Sequence, residues 1–428
     1  AADGVRILAY ALPQMGHLIP LMDIGAEAAS RGHEVVVVSS ECWRGKVEPG
    51  CVSRGLTFLG LQDGLTSEYI DGFGPENCAF HECGSKHTPL LRTVVRELQP
   101  QVLLGDLPSV AAQRVSKELG VPLVINNLNT MRFVTWFIPL LQNSCANYLI
   151  RSLLPDVKSL IQLFGTEIGP ALKKTYVLTH SAYGFEKPYT PAPNFVMTGP
   201  VAKRGDGGRR ISKSDHPDLC DWLDRARAGN KPVVYVSTGT VIKLDREKVT
   251  ALFEGLGRSD CWVIWSLKAE PQQWLPSPVP ENFFVRDWQP ENEIMSLGEL
   301  KAVLTHCGWG GMTACLMNGK PVVAYPWFGD QPNNARLIES LGCGIKLRPA
   351  TATADDVCKA TTEILTNQEK FAAAAAKMRE AFLATPGAAK AVEVLELAAR
   401  PDAEFPVQGA PWHRSRDEVT VTCWPCSC

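Results

Sequence analysis

The chain has 428 residues, 45% hydrophobic and 21% charged, the balance of an ordinary globular protein, and its length is enough for two or three domains. Lys and Arg total 43 against 45 Asp and Glu, so the basic excess that nucleic acid or an acidic membrane surface draws on is missing. No apolar run approaches the ~20 residues of a membrane span; the nearest, 133–141, is short and holds Pro139, and no integral membrane association is expected.

In chain order, residues 5–11 read as a strand, 12–17 as a turn, 19–30 as a helix closed by Arg31-Gly32, and 34–39 as a second apolar strand. Strand, helix, glycine stop and strand make one βαβ unit of a parallel sheet. The unit recurs at 102–105, 109–119 with Gly120, and 122–126, and further strands are expected at 176–179 and 195–198. Residues 203–213 are rich in Gly and Arg, with almost nothing to bury, and read as a linker or loop. The βα rhythm then restarts: strands at 233–237, 262–266, 283–285, 302–305 and 322–325, with helices at 246–256 and up to Met317. Residues 354–399 are helical in composition, interrupted at Pro386-Gly387, and prolines discourage regular structure beyond Arg400. The expected fold class is α/β, two doubly wound Rossmann-like domains facing a cleft. The expected divisions are an N-terminal domain 1–202, a linker 203–230, a C-terminal domain 231–400 with closing helices, and a disordered tail 401–428.

The 14 Cys are scattered, several inside apolar segments, as Cys261 and Cys315 are. They read as reduced core thiols of a cytosolic protein, and no secretory signal is visible. The ending Cys423-Trp-Pro-Cys-Ser-Cys428 lacks the βαβ context of a redox motif and the second pair of a zinc site, and reads as tail. His17, His33, His81 and His87 are too scattered for a metal set, and no Asp-x-Asp segment lies between strands, so no metal is expected.

The most informative stretch is Leu304-Thr-His-Cys-Gly-Trp-Gly-Gly-Met312, a strand end, a Gly-rich turn and a helix start. Such a turn aims backbone N–H groups and the positive end of a helix dipole outward, where a diphosphate can sit. On turn chemistry alone, that reading and a bare strand-to-helix turn stand level. The wider spacing adds to it: Trp288 lies 18 residues before His306 and Asp330 lies 24 after it. Trp288-Gln-Pro-Glu291, His306-Cys-Gly-Trp-Gly-Gly-Met-Thr-Ala314 and Pro326-Trp-Phe-Gly-Asp-Gln-Pro-Asn-Asn334 resemble the donor-binding signature of the family-1 glycosyltransferases, the plant secondary-product enzymes and their sterol and macrolide relatives. Cys220-Asp-Trp-Leu-Asp224 before Val233-Val-Tyr-Val-Ser-Thr-Gly-Thr240 is similar to that family's entry into its C-terminal domain, and Gly16-His17-Leu-Ile-Pro20 with Arg31-Gly32-His33 to its N-terminal unit. Residues 60–100 and 128–170, which shape the acceptor pocket in that family, match no pattern.

The resemblance implies a GT-B fold and an inverting enzyme that moves a hexose, glucose by default, from a UDP-sugar to a hydroxyl of a small apolar acceptor. The UDP-sugar is a co-substrate, and no further cofactor is implied. Trp288 would stack on uracil. Thr240 and His306 would touch the diphosphate, which Gly310 and Gly311 let approach the backbone, and Gly239 and Trp309 would belong to the same donor site. Glu291 could accept from the ribose, Asp330 and Gln331 would bind sugar hydroxyls, which suit a carboxylate and an amide, and Gln289 and Gly329 would complete the donor site. His17 would be the general base, with Asp106 orienting the imidazole and stabilising its cation. A last helix ending near Ala399 would brace the N-terminal domain. Phe133, Trp136 and Phe137 suggest an apolar acceptor. The sequence also departs from the family: Gly310 and Gly311 stand where plant enzymes have Asn and Ser, Ala314 where many have a ribose-binding Glu, and Glu291 where Gln is usual. Gly310, Gly311 and Ala314 suggest one rival, a non-catalytic nucleotide-sugar-binding relative, against which His17 and Asp106 together argue; the other rival is a sugar-nucleotide epimerase or hydrolase on the same architecture, which would need no acceptor.

Overall fold

Continuous apolar runs such as Val35 to Val38 can only be satisfied inside a parallel sheet covered on both faces. The computed structural model, which describes residues 4–71, 80–129, 172, 174–186, 193–202 and 211–401, places them so. The first half holds β1 (Arg6–Tyr10), α1 (Met15–Ser30), β2 (Glu34–Ser40), α2 (Arg44–Val52), β3 (Thr57–Leu61), α3 (Ser67–Asp71), α4 (Phe80–Leu98), β4 (Val102–Asp106), α5 (Val110–Leu119), β5 (Leu123–Asn127), β6 (Tyr176–Thr179) and β7 (Phe195–Met197). The second half holds α6 (Pro217–Ala228), β8 (Val233–Ser237), α7 (Arg246–Gly257), β9 (Trp262–Ser266), α8 (Ala269–Gln272), β10 (Phe283–Arg286), α9 (Glu291–Met295), β11 (Leu300–Thr305), α10 (Trp309–Met317), β12 (Val322–Ala324), α11 (Gln331–Ser340), β13 (Gly344–Lys346), α12 (Ala354–Thr366), α13 (Gln368–Leu383) and α14 (Ala388–Ala398).

The strands form two all-parallel sheets, ordered β3-β2-β1-β4-β5-β6-β7 and β10-β9-β8-β11-β12-β13. Each sheet carries an apolar core on either face. In each, the order reverses once, between β1 and β4 and between β8 and β11. Loops leaving the carboxyl ends of such strands diverge to opposite faces and leave a crevice, which is where ligands of open α/β sheets bind.

Three local readings change. The helix expected from residue 19 begins at Met15, so His17 stands in its first turn and Pro20, the sixth residue, inside it, where the proline forfeits the bond that an N–H would make to the Gly16 carbonyl. Within the interval 203–230 expected to be linker, Pro217–Ala228 is a helix that buries Leu219, Trp222 and Leu223 in the second core. β3, β13 and the helices α2, α3, α4, α8, α9 and α11 have no counterpart in the sequence reading. They are edge or covering elements whose place is set by the sheet they join. α14 leaves the second half and packs on α1, with Ala391, Val392 and Leu395 in the first core. Phe133, Trp136, Phe137 and the tail 402–428 lie outside the described residues, as does the side chain of His81.

Candidate active site

The two reversal points carry His17 and Asp106 on one side and Gly239, Thr240 and the His306 turn on the other. β1 and β4 are adjacent parallel strands; α1 opens just beyond the first and carries His17, and Asp106 ends the second. His17 Nδ1 lies 2.6 Å from Asp106 Oδ2, with the Asp106 side chain fully buried and His17 23% exposed. The acid is therefore held in the sheet, and the imidazole reaches from it towards solvent. Burial pushes the imidazole down, but the Asp106 charge and contact and the more distant Asp330 charge outweigh it, and the net shift is upward. Asp330 belongs to the other half, so the His17 imidazole feels charge from both halves. A base whose cation is stabilised by a fixed carboxylate is the arrangement needed to take a proton from an attacking hydroxyl.

On the other side, β8 and β11 end at Ser237 and Thr305. Gly239 follows the first in a turn with φ +77, and a Cβ there would lie 2.6 Å from His306 Cε1. A Cβ on Gly308 would lie 2.5 Å from His306 Nε2. The imidazole therefore fills a slot between two backbones that only glycines leave open. Burial pushes its pKa down to about 4, against a hydrogen bond to the Ser237 backbone, so the ring is neutral and its single N–H serves either that carbonyl or a phosphate, not both. Cys307, buried, takes φ +61, a left-handed conformation costing about 1–2 kcal/mol that turns the chain sharply into α10. Gly308 caps α10 without a side-chain hydrogen bond, leaving first-turn N–H groups without an intrahelical partner. Asp330 Oδ2 accepts from Trp309 N at 3.2 Å and from Asn334 Nδ2 at 2.6 Å, and Asn334 Nδ2 also reaches Cys307 O at 2.9 Å. Gly310 is exposed with open space where a Cβ would stand, and Gly311 has only Thr305 Oγ1 and the His306 ring nearby.

The remaining expected residues divide. Thr240 is exposed in the turn after β8, and Trp288 is 64% exposed, a large apolar face left open as a stacking platform requires. Its ring centroid lies 6.3 Å from that of His216. Gln289 is buried, and its amide nitrogen has no hydrogen-bond partner among the described residues. Glu291 opens α9, and burial pushes its pKa up. Ala314 is half-buried on α10, and Gly329 is exposed with φ +64. Gln331 turns its oxygen to the backbone: its Oε1 accepts from Trp327 N at 2.9 Å and Phe328 N at 3.3 Å, holding the turn before α11 and leaving its NH₂ end for a ligand.

Sequence reading missed a buried network in the first half. Asp63 Oδ2 lies 2.6 Å from His87 Nε2, with both side chains essentially unexposed, and Tyr10 donates to His87 Nδ1 at 2.7 Å. Its members come from three distant segments with no shared spacing, so no pattern could have grouped them. Among the described residues, no cluster of His, Cys, Asp and Glu could hold a metal ion, and no helix is long and apolar enough to cross a membrane.

Two open parallel sheets, each with its reversal point turned to a common cleft, one bearing an acid–imidazole pair and the other a glycine-lined helix start, define a GT-B glycosyltransferase scaffold. The chain belongs to the UDP-glucoronosyl and UDP-glucosyl transferase family, whose model matches residues 111–378. It is 33% identical to a flavonoid 3-O-glucosyltransferase of Medicago truncatula over 37% of this chain and 35% of that protein, so the match spans about a third of that relative's length. With a chloroplastic crocetin glucosyltransferase of Gardenia jasminoides, 25% identity extends over 85% of this chain and 90% of the other. Among solved structures, Os79 of O. sativa, in complex with U2F and trichothecene, shares the fold at TM-score 0.75 and 19% identity over 92% of this chain and 99% of that one.

Proposed function

We propose that this chain is an inverting glycosyltransferase that moves a hexose, glucose in the first instance, from a UDP-sugar to a hydroxyl of a small apolar acceptor. The observation that carries the reading is the 2.6 Å contact of His17 with buried Asp106, facing Asp330 of the donor half. In this reading, His17 takes the acceptor proton as its oxygen attacks the anomeric carbon from the face opposite the leaving group. The bond to the diphosphate oxygen breaks, and UDP leaves with its charge against the start of α10. Asp106 holds the imidazole and stabilises the imidazolium. Trp288 stacks on uracil, and Asp330 with the Gln331 amide NH₂ binds sugar hydroxyls. Relatives whose names specify flavonoid, anthocyanidin or crocetin glycosylation support a small aromatic or polyene acceptor. The positive end of α10 supplies counter-charge, so the reaction in this reading needs no metal, and the free thiols of the described cysteines suit the cytosol. The test is a screen of UDP-sugars against a library of phenolic, terpenoid and sterol acceptors, with and without EDTA, read by mass spectrometry. Glycosylated acceptor supports the reading; sugar turnover that is indifferent to every acceptor sinks it in favour of an epimerase or hydrolase.

A further inference from the structure

An aromatic wedge from the first half enters the core of the second beneath the donor turn. The loop after β6 is fixed at its start in the first half: His180 Nε2 lies 2.6 Å from Asn126 Oδ1, and His180 Nδ1 lies 3.0 Å from Thr198 Oγ1. The chain then turns through Tyr183 and Gly184, the latter at φ +82, and Phe185 N closes the turn on Ala182 O at 3.1 Å. Phe185 is thereby aimed into the second half. It is 1% exposed, and with Ala182 and Leu128 it belongs to the apolar core that holds α10 and α13. Its ring meets Trp309 edge to face at 6.0 Å and 79°, and Phe382 at 4.9 Å and 65°. Trp309 is the first residue of α10, and its N–H is bound by Asp330. The other chain crossing sits alongside: Gly387 N donates to Thr198 O at 2.8 Å, and a side chain at Gly199 would strike Thr385. One aromatic side chain of the acceptor half thus touches both the donor turn and the returning C-terminal segment.

We propose that Phe185 is a positioning residue for the transfer, setting the donor turn at Trp309 relative to the half that carries His17. A packed core responds to displacement in discrete repacking steps rather than by yielding continuously. A shift of the first half therefore moves Phe185 against Trp309 and, through Trp309 N and Asp330, the first turn of α10. The inference rests on the reading of that turn as the UDP site. The test compares Phe185→Leu with Phe382→Leu, which removes a ring of the same cluster that, among the described residues, meets the ring of Phe185 and not that of Trp309. UDP affinity is measured by calorimetry and melting temperature by scanning fluorimetry. Both variants are expected to melt lower. Phe185→Leu is expected to lose UDP affinity by about threefold to thirtyfold and to raise KM for the UDP-sugar more than it lowers kcat, while Phe382→Leu stays within about twofold of the parent. Equal losses in the two variants, or a lower melting temperature for Phe185→Leu with UDP affinity unchanged, overturn the coupling. Should Phe185→Leu not fold, Phe185→Met keeps most of the volume and removes the ring edge; unchanged UDP affinity in that variant overturns the proposal equally. A parent that binds no UDP overturns the functional reading, and the inference with it, a result distinct from a parent that binds while the Phe185 variants bind as well.

Discussion

At the scale of single residues, the site is an asymmetry between two imidazoles. His17 lies beside buried Asp106, which offsets the cost of its burial, and its pKa is shifted upward. His306 sits between Gly239 and Gly308 and is held neutral by burial, at about 4. Only the first can cycle a proton near neutral pH. His17→Ala should cut transfer by about 10²–10⁴ while leaving UDP affinity within twofold, as measured by steady-state kinetics and calorimetry. A base acts when unprotonated, so the acid limb of kcat/KM should lie above the 6.5 of a free imidazole. Asp106→Asn removes the main upward cause, so the limb should move to lower pH, with a smaller loss of maximal rate than in His17→Ala; a limb that does not move would dissociate Asp106 from the base. The ribose side gives a second test. Ala314 leaves room on α10 where a carboxylate could meet two hydroxyls, worth ~1.5–3 kcal/mol as a charged hydrogen bond less the cost of ordering the side chain. Glu291 is the competing carboxylate if the family geometry holds. Ala314→Glu should therefore tighten UDP binding only together with Glu291→Gln, and calorimetry of the single and double variants decides.

At the scale of elements, turn chemistry governs what each glycine tolerates. Gly239 combines a left-handed φ of +77 with a His306 ring where its Cβ would be. Gly239→Ala should lower stability by at least the ~1–2 kcal/mol of the backbone conformation and displace His306, so both melting temperature and UDP affinity should fall. Gly310 is helical, exposed and has nothing near its Cβ direction. Gly310→Ala should raise stability by up to ~1 kcal/mol and, if a phosphate approaches there, still weaken UDP binding. Opposite signs in the two measurements mark a glycine kept for a ligand rather than for the fold; a variant more stable and equally tight would remove Gly310 from the phosphate site.

At the scale of the whole molecule, stability and closure share parts. His180 and His306 are both buried, and burial lowers both to about 4 from an ordinary 6.5. The unfolded chain binds protons at these positions through that window while the folded one does not, so their contribution is complete above pH 6.5 and is lost as pH falls towards 4. Melting temperature should drop over that interval, and His180→Gln should flatten part of the drop; an unchanged slope would mean that other groups govern acid sensitivity. α14 is the second shared part. Ala391, Val392, Val394, Leu395 and Ala398 are buried, and Glu396 reaches His33 at 2.9 Å. Deleting the chain from Ala388 strips the first core of these side chains, each apolar burial being worth on the order of 1 kcal/mol or more, and should yield unfolded or aggregated protein by circular dichroism and light scattering.

What the sequence determined by itself was local or carried by fixed spacing. Apolar runs such as residues 35–38 name buried parallel strands, Gly120 names a helix end confirmed by its φ of 71, and the Trp288-to-Gln331 spacing marks the donor side, because contiguous segments carry those signals in one dimension. α1 starts at Met15 rather than at residue 19 because packing of Leu18, Leu21 and Met22 in the first core carries the helix back through the turn that precedes them. Tertiary structure alone decided the rest. The 2.6 Å approach of His17 to Asp106 spans 89 residues; Gln331 turned its oxygen to the backbone of its own turn; Asp63, His87 and Tyr10 met from three elements; and Phe185 left its own half for the other's core. Each of these depends on which sheet edges and helix faces come together, a matter of three-dimensional burial that no spacing along the chain encodes.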